Sequence, residues 1–182
     1  MSVKITYFVH GTTTDNEQKR SSGWNDVKLS ELGIAQAKEL GKIVDGKQFD
    51  VIISSDLQRA IDFANLAWGD CGVEILHDAR MRECNYGDYN GELSEIVEPM
   101  QEQNITTRFP NGESYEDVKS RIQDFLNYLK ENFDGKHVAL VAHKAPQLAL
   151  DNIIKGMSWE EAFANDWRKR KAWQAGWRYE LI

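Results

Sequence analysis

Short apolar runs alternate with helical repeats along the chain. Three runs, "ITYFV" (5–9), "FDVIISS" (49–55) and "HVALVAH" (137–143), are rich in valine and isoleucine and are flanked by polar turns. Runs of this length without polar alternation are typical of strands buried on both faces of a mostly parallel sheet. A last strand is predicted at about 177–181.

Helical patterns occupy the intervals between these runs. They cover "SELGIAQAKELGKIV" (30–44), "LQRAIDFANLAW" (57–68), "SYEDVKSRIQDFLNYLKENF" (114–133) and "PQLALDNIIKGM" (146–157). Ser30 and Ser114 are placed to cap the first and the third of these helices. In the first, Leu32, Ala35, Leu40 and Ile43 lie near one helical stripe. Strands that alternate with helices predict an α/β fold, a three-layer sandwich with a mostly parallel central sheet flanked by helices.

Residues 81–112 break this alternation. The segment is glycine-rich and polar, and it shows little periodicity. In open α/β sheets, ligands bind outside the carboxyl ends of the strands. We therefore expect an irregular, lid-like insertion over such a site. No internal repeat or linker is evident, so residues 1–182 are expected to form a single domain.

Composition narrows the classes of function. The 182 residues carry a net charge of −7, with a pI of about 5.2, which argues against a nucleic-acid partner. No apolar run approaches the roughly 20 residues needed to span a membrane, and no signal peptide is seen. Cys71 and Cys84 offer no disulfide framework, which favours a reduced, cytoplasmic setting.

Chemically active residues follow each of the three apolar runs. His10 follows the first, Arg59 lies shortly after the second, and His143 ends the third. If these strands are parallel neighbours, the two imidazoles and the guanidinium converge at one sheet edge, and Glu83 could join them from the irregular segment. Each residue alone is more often a solvated loop or surface residue, and the functional interpretation depends on all four falling at matching strand ends.

Zinc binding is the alternative role for two histidines at one sheet edge. It would need a third ligand, and Cys71 and Cys84 lack the tight spacing of zinc-binding cysteines. There is also no glycine-rich phosphate loop or dinucleotide fingerprint. Neither a metal nor another cofactor is therefore expected.

Six stretches of sequence carry a resemblance to a known family. In order they are "YFVHGTTTDNE", "GWNDVKLSELGIAQAKELG", "VIISSDLQRA", "MRECNYGDYNGE", "FPNGESYEDVKSRI" and "VALVAH". Together they cover nearly the whole chain, which resembles the histidine phosphatase superfamily, also called phosphoglycerate mutase-like. The resemblance implies that His10 is a nucleophile that forms a phosphohistidine and that Glu83 is a general acid. It also implies that Arg59 and His143 bind the phosphoryl oxygens.

Other positions correspond to substrate-contacting residues of the family. The resemblance places Asn16, Ser22 and Gly23 among them. Gly11 is expected to let phosphate approach the backbone. Two positions depart from the family pattern: Val9 stands where arginine usually precedes the nucleophile, and Lys144 replaces the usual glycine after the second histidine. One hypothesis is that Lys144 partly restores the missing charge at the substrate site.

The carboxyl-terminal stretch "WRKRKAWQAGWRYELI" combines tryptophans with a basic cluster at 168–171. Stacking aromatics beside cations are also a feature of nucleic-acid binding. The acidic chain as a whole favours a last strand with tryptophans at the core edge, and a cation cluster near the substrate mouth stays open.

The preferred function is hydrolysis of small-molecule phosphomonoesters through a phosphohistidine. A chain of this length favours hydrolysis over the mutases of the family, which usually carry larger insertions. Because of Val9, a catalytically impaired phosphate-binding or regulatory protein is the alternative from another class. The physiological substrate and the oligomeric state stay open at this stage.

Overall fold

The computed structural model describes residues 2–182. In chain order the elements are β1 (Val3–Val9), α1 (Thr14–Glu17), β2 (Arg20–Ser21), α2 (Glu31–Ile43), β3 (Val51–Ser54), α3 (Gln58–Trp68), β4 (Ile75–His77), β5 (Glu92–Leu93), α4 (Ser94–Gln103), α5 (Tyr115–Asn132), β6 (His137–Ala142), α6 (Lys144–Lys155), α7 (Trp159–Ala164), α8 (Trp167–Arg170) and β7 (Trp177–Leu181). Short 3₁₀ turns lie at Gly46–Gln48, Ala79–Met81 and Gly87–Tyr89.

One five-stranded sheet organises the chain, with the strand order β4-β3-β6-β1-β7. Strands β4, β3, β6 and β1 are parallel to one another, and β7 runs antiparallel to β1 at the edge. A separate two-stranded ribbon joins β2 to β5. The prediction of a mostly parallel sheet is confirmed, and so are the predicted first, second, third and last strands, while β4 was not predicted.

The two faces of the sheet carry separate apolar clusters. Along β1, Ile5 and Tyr7 belong to the cluster that contains the buried residues of α5 and α6. Phe8, which points to the other face, belongs to the cluster of α2 and α3. Because side chains alternate along a strand, each apolar run serves both clusters. The result is the predicted three-layer α/β sandwich.

Helix α2 packs through small residues. Its buried positions are Gly33, Ala37 and Leu40, whereas Leu32 and Ile43 are 54% and 58% exposed. Ala35 is exposed as well, so the predicted stripe was wrong at three of its four positions. A Cβ atom on Gly33 would lie 2.0 Å from the carbonyl oxygen of Thr12, so the helix approaches the loop after β1 too closely for a larger residue.

The segment 81–112 is less irregular than predicted. It contains the ten-residue helix α4, which buries Val97 and Gln101, and the short strand β5. Pro99 lies inside this helix, although proline normally ends one because it lacks the backbone N–H. None of the helices formed by residues 2–182 has the length and apolar character needed to cross a bilayer.

Candidate active site

Two histidines meet at the carboxyl edge of the sheet. Strands β1 and β6 are paired so that Val9 lies opposite Ala142, which brings the next residues, His10 and His143, side by side. The backbone N–H of His10 donates to the carbonyl of Ala142 at 3.1 Å. The two imidazole rings lie 5.0 Å apart, centroid to centroid. The predicted convergence is therefore present.

His10 opens onto a cavity of about 800 Å³, and its tautomer is fixed by a backbone group. Its Nδ1 atom lies 2.7 Å from the carbonyl oxygen of Gly11. A carbonyl can only accept a hydrogen bond, so Nδ1 must carry the proton, and Nε2 of the neutral ring keeps its lone pair. Burial, followed by the charge of Arg59, lowers the pKa of His10 to about 3. The imidazole is therefore neutral at pH 7.

His143 is fully buried, and its backbone is held by Tyr7. The Tyr7 hydroxyl donates to the carbonyl of His143 at 2.7 Å and accepts from its N–H at 3.0 Å. Neither ring nitrogen of His143 has a hydrogen-bond partner in the protein. Burial first, then the charge of Arg59, lowers the pKa of His143 well below its usual value. This neutral ring can give one N–H to a ligand oxygen.

Arg59 is a buried cation fixed by the loop after β2. Its side chain belongs to α3 and is 2% exposed. Nη2 donates to the carbonyl of Gly23 at 2.7 Å, and Nη1 donates to that of Asn25 at 2.9 Å. Gly23 has a φ of +54°, and a Cβ atom there would lie 1.9 Å from Oδ1 of Asn90. Gly23 therefore lines the cavity but acts through its backbone.

Asn16 and Ser22 also line the cavity, and both make contacts that order its wall. Oδ1 of Asn16 accepts from the backbone N–H of Thr13 at 3.0 Å, which completes the capping box of α1. The hydroxyl of Ser22 donates to Asp15 at 2.9 Å. The amide nitrogen of Asn16 is the polar group that these two contacts leave for a ligand.

Glu83 sits at the amino terminus of α6. Its Oε1 atom accepts from the backbone N–H groups of Cys84 at 2.8 Å and Ala145 at 2.9 Å. Oε2 accepts from the N–H of Lys144 at 3.1 Å. The unpaired N–H groups of a helix amino terminus favour a negative group. The carboxyl group thereby lines the same cavity as His10.

The backbone of Glu83 is anchored by two side chains that the sequence did not indicate. Nη2 of Arg121 donates to the Glu83 carbonyl at 2.9 Å, and Nε1 of Trp24 donates to it at 2.7 Å. Arg121 also donates to both carboxylate oxygens of Glu113. Arg121 and Trp24 belong to quoted stretches of the resemblance, but their residue types alone do not distinguish them from surface residues.

Lys144 reaches the cavity wall, where its charge already has partners. Its Nζ atom donates to Oε1 of Gln101 at 2.9 Å and lies 3.4 Å from Oδ2 of Asp166. The side chain of Asp166 is 1% exposed, so the ion pair is largely buried. Lys144 thus lines the predicted substrate site with its charge shared.

Gly11 lines the cavity and also packs against helix α2. A Cβ atom there would lie 2.8 Å from the carbonyl oxygen of Gly33 and 2.9 Å from Oε1 of Gln36. Its small size therefore admits helix α2, and the access of phosphate to its backbone stays a prediction. Among residues 2–182, no group of three or more His, Cys, Asp or Glu side chains is arranged to hold a metal ion.

Comparison with known proteins places this arrangement in a family. The sequence profile described as "Histidine phosphatase superfamily (branch 1)" matches residues 7–177, a range that includes every site residue described above. The chain belongs to this superfamily. The histidine phosphatase and phosphoglycerate mutase-like resemblance of the sequence is thereby confirmed.

Relatives in the histidine phosphatase superfamily carry two kinds of activity in their names. The chain is 31% identical to the uncharacterized phosphatase PhoE of Bacillus subtilis over 147 residues, 81% of this chain and 75% of PhoE. It is 29% identical to a 2,3-bisphosphoglycerate-dependent phosphoglycerate mutase of Methylorubrum populi over 166 residues, 82% of this chain and 77% of the mutase.

A solved structure confirms the fold of the superfamily. The native structure of a mycobacterial glucosyl-3-phosphoglycerate phosphatase superposes with a TM-score of 0.80 at 27% identity, covering 90% of this chain and 84% of the other. Members of the superfamily are thus phosphatases or mutases, and this chain shares their α/β architecture.

Proposed function

We propose that this protein is a phosphatase that hydrolyses small-molecule phosphomonoesters through a phosphohistidine on His10. One observation carries the proposal. The Gly11 carbonyl holds Nδ1 of His10 at 2.7 Å, which leaves the Nε2 lone pair of a neutral ring for attack on phosphorus. The ring lies 5.0 Å from that of His143, and Arg59 supplies a fixed charge.

The first step transfers the phosphoryl group to the protein. Nε2 of His10 forms a bond to phosphorus while the bond between phosphorus and the ester oxygen breaks. The departing oxygen takes a proton from the carboxyl group of Glu83. Arg59 and the N–H of His143 stabilise the charge on the phosphoryl oxygens.

The second step returns the site to its starting state. The carboxylate of Glu83 takes a proton from water, and the oxygen of that water bonds to phosphorus as the bond to His10 breaks. Inorganic phosphate leaves, and Glu83 holds a proton for the next cycle. The three backbone N–H groups around Glu83 keep its carboxyl beside the reacting atoms through both steps.

Two of the similar proteins support hydrolysis over the mutase reaction, in which the phosphoryl group is transferred back to the substrate. The relative PhoE is named a phosphatase, and the structure at a TM-score of 0.80 is that of a phosphatase. The cavity of about 800 Å³ exceeds the size of a phosphoryl group, so it also accommodates the organic part of a small ester. The mutase relative makes isomerisation of a phosphorylated acid the second activity to assay.

The experiment compares wild-type protein with His10→Ala on a panel of aryl and alkyl phosphates. We expect release of inorganic phosphate by the wild type and none above background by His10→Ala. The matched control is His77→Ala, since His77 is exposed and bonds Ser54 at 2.8 Å. Turnover that survives His10→Ala would exclude this mechanism. Conversion of phosphoglycerate to its isomer without release of phosphate would assign the mutase reaction instead.

A further inference from the structure

The chain before β7 returns to the mouth of the active site. Strand β7 runs antiparallel to β1, and Trp177 pairs with Tyr7. The start of β7 therefore lies at the same sheet edge as His10. Trp167 stacks on Trp177 with ring centroids 5.0 Å apart and an angle of 27°. This stacking holds helix α8 beside the cavity that His10 lines.

Arg168 extends from α8 into the wall of that cavity. Nη1 donates to Oδ1 of Asp166 at 2.9 Å, and the guanidinium carbon lies 4.4 Å from the ring centroid of Trp167. Nη2 is buried and has no hydrogen-bond partner in the protein. A buried N–H donor of a charged group without a partner is costly, which marks it as a donor suited to an anionic ligand.

The charge of Arg168 acts on both histidines. After burial and Arg59, it is a further cause that lowers the pKa of His10. It also contributes to lowering the pKa of His143, after burial, Arg59, His10 and Arg121. Arg168 and His10 line the same cavity, in which the phosphoryl group is expected to bind.

Among the cations of the cavity wall within residues 2–182, only Arg168 has a buried side-chain nitrogen without a hydrogen-bond partner. Both Nη atoms of Arg59 donate to backbone carbonyls. Lys144 is shared between Gln101 and Asp166, and Lys169 pairs with Glu102 at 2.9 Å. The residue before the nucleophile, Val9, carries no charge.

We infer that Arg168 is a phosphate-binding residue, whose Nη2 group donates to an oxygen of the phosphoryl group held between His10 and His143. Asp166 holds the guanidinium in place through Nη1, and the stack of Trp167 on Trp177 holds the segment. The inference rests on the proposed function for the class of ligand. It assigns to the carboxyl-terminal segment a charge that Val9 does not supply.

The test measures binding of inorganic phosphate and of orthovanadate to wild type, Arg168→Gln and Arg170→Gln. Arg170 lies on the same short helix, is exposed and bonds Asn165 at 2.7 Å, so its variant controls for a general loss of charge. Arg168→Gln should weaken phosphate binding roughly 10- to 150-fold, the range for one charge-assisted hydrogen bond. Arg170→Gln should stay within about twofold, as expected for a screened surface charge.

The binding data separate the inference about Arg168 from the proposed activity. Unchanged phosphate binding in Arg168→Gln, or an equal loss in both variants, would overturn the inference. If the wild type hydrolyses no ester while Arg168→Gln still weakens phosphate binding selectively, the inference stands and the proposed activity fails. If Arg168→Gln does not unfold cooperatively, Arg168→Lys replaces it: roughly 3- to 10-fold weaker binding supports the inference, and unchanged binding contradicts it.

Discussion

Glu83→Gln is the substitution that most sharply separates an acid catalyst from a structural carboxylate. The glutamine keeps the size of the side chain and can keep an oxygen at the position that accepts from Cys84 at 2.8 Å and Ala145 at 2.9 Å. Its amide nitrogen then faces the N–H of Lys144, where the carboxylate accepts at 3.1 Å. Loss of that charge-assisted bond should lower the free energy of unfolding by about 1.5–3 kcal/mol.

The catalytic effect should be larger and should depend on the leaving group. Loss of a general acid typically costs about 10²–10⁴ in rate, or roughly 3–5 kcal/mol of transition-state stabilisation. An alkyl phosphate releases a strongly basic alkoxide that needs the proton, whereas a nitrophenyl phosphate releases a stable anion. We therefore expect Glu83→Gln to lower kcat on the alkyl ester much more than on the nitrophenyl ester.

The assay measures kcat on both esters for wild type, Glu83→Gln and the control Glu95→Gln. Glu95 is exposed and lies in the first turn of α4, so its variant should match the wild type. Urea unfolding of each variant separates stability from catalysis. An equal loss of kcat on both esters would refute the assignment of Glu83 as the acid, and so would no loss on either.

Three further predictions follow from neighbouring groups. Tyr7→Phe removes the hydroxyl that bonds both backbone groups of His143 and should lower the free energy of unfolding in urea by about 1–3 kcal/mol; a change below 0.5 kcal/mol, well under that range, would contradict this role. Gly23→Ala meets a φ of +54° and Oδ1 of Asn90 at 1.9 Å, so kcat/KM should fall together with stability, and wild-type values would show that the loop accommodates a Cβ atom. Because the pKa of His10 is lowered to about 3 from 6.5, first by burial and then by a neighbouring guanidinium, the unfolded state takes up a proton that the native state does not. The free energy of unfolding should therefore fall as pH falls from 6.5 towards 3, by at most about 1.4 kcal/mol per pH unit for this residue. In urea unfolding, His10→Gln should show a shallower pH dependence than the wild type. An equal pH dependence would refute the lowered pKa of His10.

The parts of the site that follow the apolar runs could be predicted from sequence. His10 and His143 come directly after strands, and parallel pairing necessarily brings their carboxyl ends together. Arg59 and Glu83 could be included because they lie within motifs of the family. The structure brings His10, Arg59 and Glu83 to one cavity and places the buried ring of His143 5.0 Å from that of His10. Their catalytic roles stay predictions until variants are measured.

Close packing limited the prediction of the helices. In α2, large apolar residues such as Leu32 are exposed, whereas Gly33 is buried because the helix contacts the loop after β1. A pattern of hydrophobicity records the size and polarity of side chains, and it does not record how closely two backbones approach. Helix α4 was missed for a different reason. It contains Pro99 and many polar residues, and only Val97 and Gln101 are buried there, so it leaves no clear apolar period.

Of the residues that line the cavity, Arg168 was the hardest to predict from the sequence. It lies far along the chain from His10, in a basic cluster that is typical of a solvated surface. Its position depends on the antiparallel pairing of Trp177 with Tyr7 and on the stacking of Trp167. Neither contact leaves a periodic signal, because each joins single residues that are distant in the sequence.

Trapping of the covalent intermediate shows whether His10 is the nucleophile. Wild-type protein would be mixed with a phosphate ester, quenched in alkali within one turnover and digested for mass spectrometry. We expect an acid-labile, alkali-stable phosphoryl group on the peptide that contains His10, and none in His10→Ala. Turnover of the ester with phosphate on another residue, or with no trapped phosphoryl group in the wild type, would contradict the assignment of His10 as the nucleophile.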